Sequence, residues 1–156
     1  MVATGLGGEH PGLDSVETIR ITEPNNDTKV EKCTKIVPNY PKKVYWAAGT
    51  TLSNGDPLLC GRGQKCYQLH ANQWREAPQL PRSRSGSAMT TTANTTFISG
   101  GSDGSDLNDF DQLNGGSWQP LSPLPIRVSD HCLVGINSSY LLNIGGQDTK
   151  SWQVRK

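Results

Sequence analysis

The chain has 156 residues, 33% of them apolar, with 17 glycines, 10 prolines and a formal net charge of +1. So near-neutral a balance excludes a nucleic-acid surface built on bulk charge, and with it charge-driven disorder. So much glycine and proline in a short chain points to many short strands rather than long helices.

No window keeps apolar residues at i, i+3, i+4 and i+7 for three turns, which argues against helix. No segment approaches the roughly 20 apolar residues needed to cross a bilayer, so no membrane span is expected. The opening MVATGLGGEHPG carries neither a basic n-region nor the apolar core of a signal peptide.

The first element in chain order is Val2-Ala-Thr-Gly-Leu-Gly7-Gly8, an apolar strand running into paired glycines. The unit it belongs to extends to about residue 40 and contains Cys33-Thr34. Tyr40-Pro41 opens the next unit. Small residues follow in Trp46-Ala-Ala-Gly, then a turn at Ser53-Asn54-Gly55-Asp56, then the strand Pro57-Leu-Leu-Cys60 leading to Gly61 and Gly63. Asn54-Gly55 predicts a type I′ hairpin, which needs φ > 0 at both central residues. Tyr67 and Trp74 complete this unit.

Leu80-Pro81 opens a third unit, with strands predicted at 87–92, 96–99, 107–112 and 117–120. Its turn is at Ala93-Asn94-Thr95, its glycine pair is Gly100-Gly101, and its aromatics are Phe110 and Trp118. Leu124-Pro125 opens a fourth, with Ser129-Asp-His-Cys, a turn at Ile136-Asn137-Ser138, and Leu141-Leu-Asn-Ile144 leading to Gly145-Gly146. The chain stops at Trp152-Gln-Val-Arg, within what should be a third strand.

The landmarks keep one order and nearly one spacing. Pro41, Pro81 and Pro125 are 40 and 44 residues apart, and the turn asparagines lie 13, 13 and 12 residues after them. In Trp74-Arg-Glu-Ala-Pro-Gln-Leu-Pro81 and Trp118-Gln-Pro-Leu-Ser-Pro-Leu-Pro125 the tryptophan precedes its proline by seven residues. Four short strands per repeat of this length, with glycines at fixed positions, fit the blade of a β-propeller. The expected fold is all-β, with blades of four antiparallel strands in an incomplete ring: a partial blade over 1–40, blades over 41–80 and 81–124, and a partial blade over 125–156. Both ends carry second and third strands, so they overlap instead of complementing each other. The expectation is a segment of a longer propeller; the rival is a four-bladed ring with irregular outer strands.

These units resemble the kelch family, whose pattern is an apolar strand ending in Gly-Gly, then an aromatic, Trp, and Pro with a following Arg. The second unit supplies Gly61 and Gly63, Tyr67, Trp74, Pro81 and Arg84; the third supplies Gly100-Gly101, Phe110, Trp118, Pro125 and a slightly displaced Arg127. The chain departs from the pattern at Gly61-Arg-Gly63, which is not a strict pair, and at Cys33-Thr34, where Trp is expected. The cysteine spacing and His131-Cys132 are closer to extracellular invertebrate kelch proteins than to cytosolic adaptors. The resemblance implies that Tyr67, Trp74, Phe110 and Trp118 fill the space between blades, and that the glycine pairs sit where a Cβ has no room.

Cys60 and Cys66 flank a five-residue loop between second and third strands. An antiparallel hairpin sets them nearly opposite, so a disulfide and a reduced pair are the two alternatives. Neither they, Cys33 nor Cys132 form a zinc pattern with His10, His70 and His131. Sequons at Asn26, Asn94 and Asn137 are candidate glycosylation sites, two of them at the same turn of successive units. Asp103, Asp106 and Asp109 lack the Glu and spacing of an EF-hand. Cys132 aligns with Ala48 and Ala88 and is expected in the core. No Ser-His-Asp arrangement follows a known triad order, and no cofactor is expected.

The functional expectation is a non-catalytic interaction scaffold. It binds a protein or glycan through one loop face, with Arg82, Arg84 and Arg127 as contacts to an acidic partner. An enzyme that merely uses such a propeller, as an oxidase or epimerase, is the alternative. An extracellular setting is the first expectation and a cytoplasmic one the second.

Overall fold

In the computed structural model the described residues are 14–16 and 37–147. They form ten strands and no helix, in antiparallel sheets of four, four and two strands, none closed into a barrel. The first blade is β1 (Ala48–Thr51), β2 (Pro57–Cys60), β3 (Cys66–His70) and β4 (Gln73–Ala77), paired in sequence order. The second is β5 (Ala88–Thr92), β6 (Thr95–Ser99), β7 (Phe110–Asn114) and β8 (Ser117–Pro120). The third sheet is β9 (Ser129–Gly135) paired with β10 (Leu141–Gln147). The opening unit over 1–40, with Gly7, Gly8, Asn26 and Cys33, lies almost wholly outside the described residues, as does Trp152.

Local chemistry sets the connections. Ala93 and Asn94 both have positive φ and close β5–β6 as a two-residue hairpin, and Ala71 and Asn72 do the same for β3–β4. The Asn54-Gly55 turn differs from the expected type I′. Only Gly55 has φ > 0, and Leu52 and Asp56 close a three-residue loop through Leu52 N–H to the Asp56 carbonyl at 2.8 Å. Gln68 and His70 hold the Asp56 carboxylate at 2.7 Å each, which keeps it below the usual carboxylate range. The third strand of the second blade begins at Phe110, not at 107. Leu107 is buried in the preceding loop, where its N–H bonds the Gly101 carbonyl.

The blades stack face to face. Register puts Ala48, Cys60 and Cys66 on one face of the first blade, and Met89, Ile98, Leu113 and Trp118 on the facing side of the second. These side chains, with Leu58 and Leu80, form the main core. The Ala88 side of the second blade meets His131 and Leu133 of β9. A smaller cluster of Tyr40, Leu59 and Tyr67 covers the first blade's other side, with Val16 and Trp74 against it.

Both blade tryptophans anchor backward. Trp74 Nε1 donates to the Pro38 carbonyl and Trp118 Nε1 to the Pro78 carbonyl, each at 3.0 Å. Pro38 and Pro78 each lie three residues before the proline that opens a unit, so the same bond recurs. The residues just before those opening prolines are clamped as well. The Tyr40, Leu80 and Leu124 N–H groups donate to the carbonyls of Asp14, Gln64 and Asn108. The Gln64 and Asn108 side-chain amides return bonds to the Leu80 and Leu124 carbonyls.

The two indoles are not equally placed. Trp118 is buried, whereas Trp74 is half-buried and meets Tyr40 edge-on at 5.0 Å. Phe110, expected between blades, is half-buried and stacks on Phe97. Trp118→Ala should therefore cost about 3–5 kcal/mol of unfolding free energy, and Trp74→Ala clearly less, as read by denaturant titration of the two variants. Equal losses would contradict this difference in burial.

Candidate functional site

At one end of the array the loops that lead into each inner strand meet the glycine-bearing loops that leave each second strand. Trp46, Gly86 and Asp130 each lie five residues after an opening proline, and all three have φ between 50° and 62°. Their left-handed backbone turns successive inner strands toward one another. Gly86 N–H then donates to the Trp46 carbonyl at 3.1 Å, and Asp130 N–H to the Gly86 carbonyl at 2.8 Å. A ladder of main-chain bonds thus steps from blade to blade.

A cleft of about 170 Å³ opens beside this ladder, lined by Trp46, Ser85, Ser129, Asp130 and the loop residues Ser102 and Asp106. Its lining is mostly hydroxyl and carboxyl. Trp46 stands at its edge, 44% exposed, with its ring edge-on to Tyr45 at 5.2 Å. Arg62 reaches Tyr45 from the next loop, bonding its hydroxyl and lying over its ring at 5.3 Å. Arg62 is the extra residue of Gly61-Arg-Gly63. Gly63 N–H donates to the Arg84 carbonyl as Gly101 N–H does to Val128, so the departure from a strict glycine pair swings one arginine outward. Gly100 shows why the pair is glycine: at φ +55° a Cβ would come within 2.3 Å of the Val128 carbonyl oxygen. Gly145 and Gly146 repeat the positive φ at the end of β10.

The three arginines expected to contact a partner separate into different roles. Arg84 is not on the surface. Only 2% of it is exposed, and its Nη2 bonds Asp111 Oδ2 at 2.5 Å while Nη1 approaches the Gly100 carbonyl at 3.5 Å. The equivalent positions, three residues after the opening prolines, are Val44 and Val128, so Arg84 stands where the other units place a packed aliphatic. A partner-contact role for Arg84 is corrected to a structural one. Arg82 is exposed but already paired, with Asp103 at 2.6 Å and Asp109 at 3.6 Å. Arg127 is exposed and donates to the Asp106 backbone carbonyl at 3.0 Å. Arginine thus answers Asp103 and Asp109, and among the described residues no three His, Cys, Asp or Glu side chains are grouped to hold a metal.

Cys60 and Cys66 face each other across β2–β3 and are disulfide-bonded, S–S 2.06 Å. Asn94 and Asn137 lie exposed in the β5–β6 and β9–β10 turns, at the end opposite the cleft. Cys132 keeps the expected register, opposite Ile144 as Ala48 is opposite Cys60, but it is exposed. The core position is corrected for a plain reason: no sheet among the described residues covers that side of β9.

His131, next to it, is the buried member of the pair. Its Nε2 lies 2.8 Å from Ser99 Oγ, and Nδ1 has no hydrogen-bond partner among the described residues. Ser99 is fully buried, so the pair joins the second and third sheets and presents no nucleophile to solvent. Burial pushes the imidazole down to about 4.

Sequence reasoning missed Trp46 and Arg62, the two most prominent side chains of the loop face. The positive φ at Trp46 has no composition signal, because an indole residue does not favour it, whereas Asp130 is of a type that enters this region more readily.

No family model matches the chain, and no curated protein does. Among solved structures it is similar to that of YjhT, with a TM-score of 0.60 and 20% identity over 70% of this chain. The match spans 36% of the YjhT chain, about a third of its length. At this identity the likeness concerns the fold alone.

Two outcomes test the site. Arg84→Ala leaves Asp111 buried without its cation and should lower stability by about 3–5 kcal/mol; an unchanged melting temperature would return Arg84 to the surface role. His131 adds a pH dependence. In the unfolded chain an imidazole protonates near 6.5, whereas the folded one stays neutral to about 4. The contribution is complete above about pH 6.5, and it is lost as pH falls toward 4 because the unfolded state takes up a proton that the folded state refuses. Between pH 6.5 and 5, above the carboxylate range, stability should fall by up to about 1.4 kcal/mol per unit, and His131→Gln should flatten that slope in denaturant titrations.

Proposed function

We propose that this chain is a run of kelch-type repeats serving as a non-catalytic scaffold, which binds a protein or glycan partner through the loop face around the cleft. The observation that carries this reading is the group of Tyr45, Trp46 and Arg62. A large indole stands open to solvent beside a polar cleft, braced by a second ring and a guanidinium. Trp, Tyr and Arg are the side chains that concentrate binding energy at interfaces. They also suit a sugar, since an indole offers an apolar face and the neighbouring hydroxyls and carboxylates offer hydrogen bonds. The main-chain ladder holds the group rigidly, so little entropy is lost on binding.

An extracellular setting and glycosylation at Asn94 and Asn137 belong to the same proposal. A disulfide persists in oxidising compartments, and both asparagines sit on exposed hairpin turns, far from the loop face. Arg127 remains a candidate contact, and Arg82 becomes one if a partner displaces Asp103.

The test starts from a glycan array and a displayed peptide library screened with the intact chain. For any ligand so found, Trp46→Ala and Arg62→Ala should each weaken binding by ten-fold or more, with the melting temperature unchanged. Undiminished binding by both variants would remove the loop face from the reading.

A further inference from the structure

Two asparagine–glycine steps occur in the chain, Asn54-Gly55 and Asn114-Gly115. Both lie at hairpin turns and both asparagines are exposed, so neither the dipeptide nor exposure tells them apart. Such a step is open to one reaction of its own. The main-chain nitrogen of the glycine attacks the side-chain carbonyl carbon of the asparagine, unhindered because glycine carries no Cβ. A carbon–nitrogen bond closes the ring, the bond to the side-chain amide nitrogen breaks, and ammonia leaves with the proton that the glycine nitrogen gives up. Water then opens the cyclic imide at either carbonyl. One product is aspartate; the other is isoaspartate, whose main chain runs through the side-chain carbon.

The two turns differ in what must break before that attack. At Asn54 both reacting groups are held. Its Nδ2 donates to Asp56 Oδ2 at 2.9 Å, its Oδ1 accepts the Asp56 N–H at 3.0 Å, and the Gly55 N–H donates to the Leu52 carbonyl at 2.9 Å. Asp56 is itself fixed by Gln68 and His70 of β3. Each such bond slows the attack by up to about ten-fold where it must open first. At Asn114 neither group is held: among the described residues its side chain and the Gly115 N–H have no hydrogen-bond partner. Gly115 and Gly116 form a two-residue turn with φ of 58° and 83°, and glycine at both places lets the nitrogen swing toward the side chain. What has to yield is the last pair of the ladder, Asn114 with Ser117, and a 3.4 Å bond from Ser117 Oγ to the Asn114 carbonyl.

We infer that Asn114 is a site of spontaneous deamidation and isoaspartate formation in the folded protein, and that Asn54 is protected from it. The site lies where such a change is felt. β8 pairs with β7 through four residues, and the pair next to Asn114–Ser117 is Leu113–Trp118. Trp118 is buried between blades, its indole bonded to the Pro78 carbonyl. Isoaspartate lengthens the main chain at the turn, so Ser117 no longer lies opposite its partner and the Trp118 anchor loosens.

The intact chain is incubated at mildly alkaline pH, with and without denaturant, and mapped by peptide mass, isoaspartate being told from aspartate by fragmentation. In the folded protein Asn114 should convert ten-fold or more faster than Asn54. In denaturant the two should convert at similar rates, because the turns are gone and the steps are alike. Asp56→Ala should speed conversion at Asn54 in the folded protein and leave Asn114 as it was. Similar rates at the two sites in the folded protein, or an Asn114 that stays intact while unfolded chains react, overturn the inference. The effect on β8 is read by melting: the isoaspartate-bearing fraction should melt below unreacted protein, and Asn114→Asp, which adds the charge alone, should not. Equal melting of the two fractions overturns the loosening of Trp118.

Discussion

A four-stranded antiparallel sheet has two sides, and in this protein neither is built to face water. Ala48, Leu58, Cys60 and Cys66 turn one way from the first blade; Leu59 and Tyr67 turn the other. Stacking is the one arrangement that buries both sides of a sheet so small, because a lone sheet of this size cannot offset its conformational entropy with one apolar face. The rest of the molecule follows from that. Inner strands carry small residues, Ala48, Gly49 and Ala88, because they lie where sheets converge. Large side chains such as Trp118 fill the wider outer gap, and the loops are gathered at the two ends.

The stacking also explains the buried charge. Asp111 lies on β7 opposite Ile98, facing the first blade, where an unpaired carboxylate would be costly. Arg84 comes up from the lead-in loop to meet it, at a position where the sister units have valine. The pair ties a loop to a sheet interior. A hydrophobic couple of equal volume could replace it with little loss of stability, whereas losing one member alone could not be tolerated.

Much of this architecture was legible in the residues. The prolines, turn asparagines and glycines gave the strand order and the unit boundaries, because φ > 0 and the missing proline N–H act locally and leave local signatures. Cys60 and Cys66 were legible as neighbours for the same reason: a short hairpin loop fixes who stands opposite whom. What escaped notice depends on contacts far apart in sequence. Arg84 reads as a surface loop arginine until β6–β7 pairing brings Asp111 under it. Leu107 reads as a strand residue because it is apolar, yet it plugs a loop. Cys132 was placed correctly in register but not in environment, since its burial depends on a neighbouring sheet and not on its own strand. The kelch-like arginine after Pro125 aligned as Arg127, while the spatial equivalent of Arg84 is Val128.

The ladder through Trp46, Gly86 and Asp130 is made wholly of peptide groups. Three residues as unlike as an indole, a hydrogen and a carboxylate occupy equivalent places because the joint between blades never consults their side chains. It asks only for a backbone that can enter the left-handed region. At Trp46 and Asp130, then, surface chemistry and mechanical continuity are decoupled: a change of side chain alters the surface beside the cleft without removing a main-chain bond, whereas at Gly86 a Cβ would meet the Asp130 carboxylate at 2.5 Å. The excluded choices are β-branched residues, whose crowded Cβ resists that conformation. An array so jointed can vary its surface one residue at a time while its frame stays fixed.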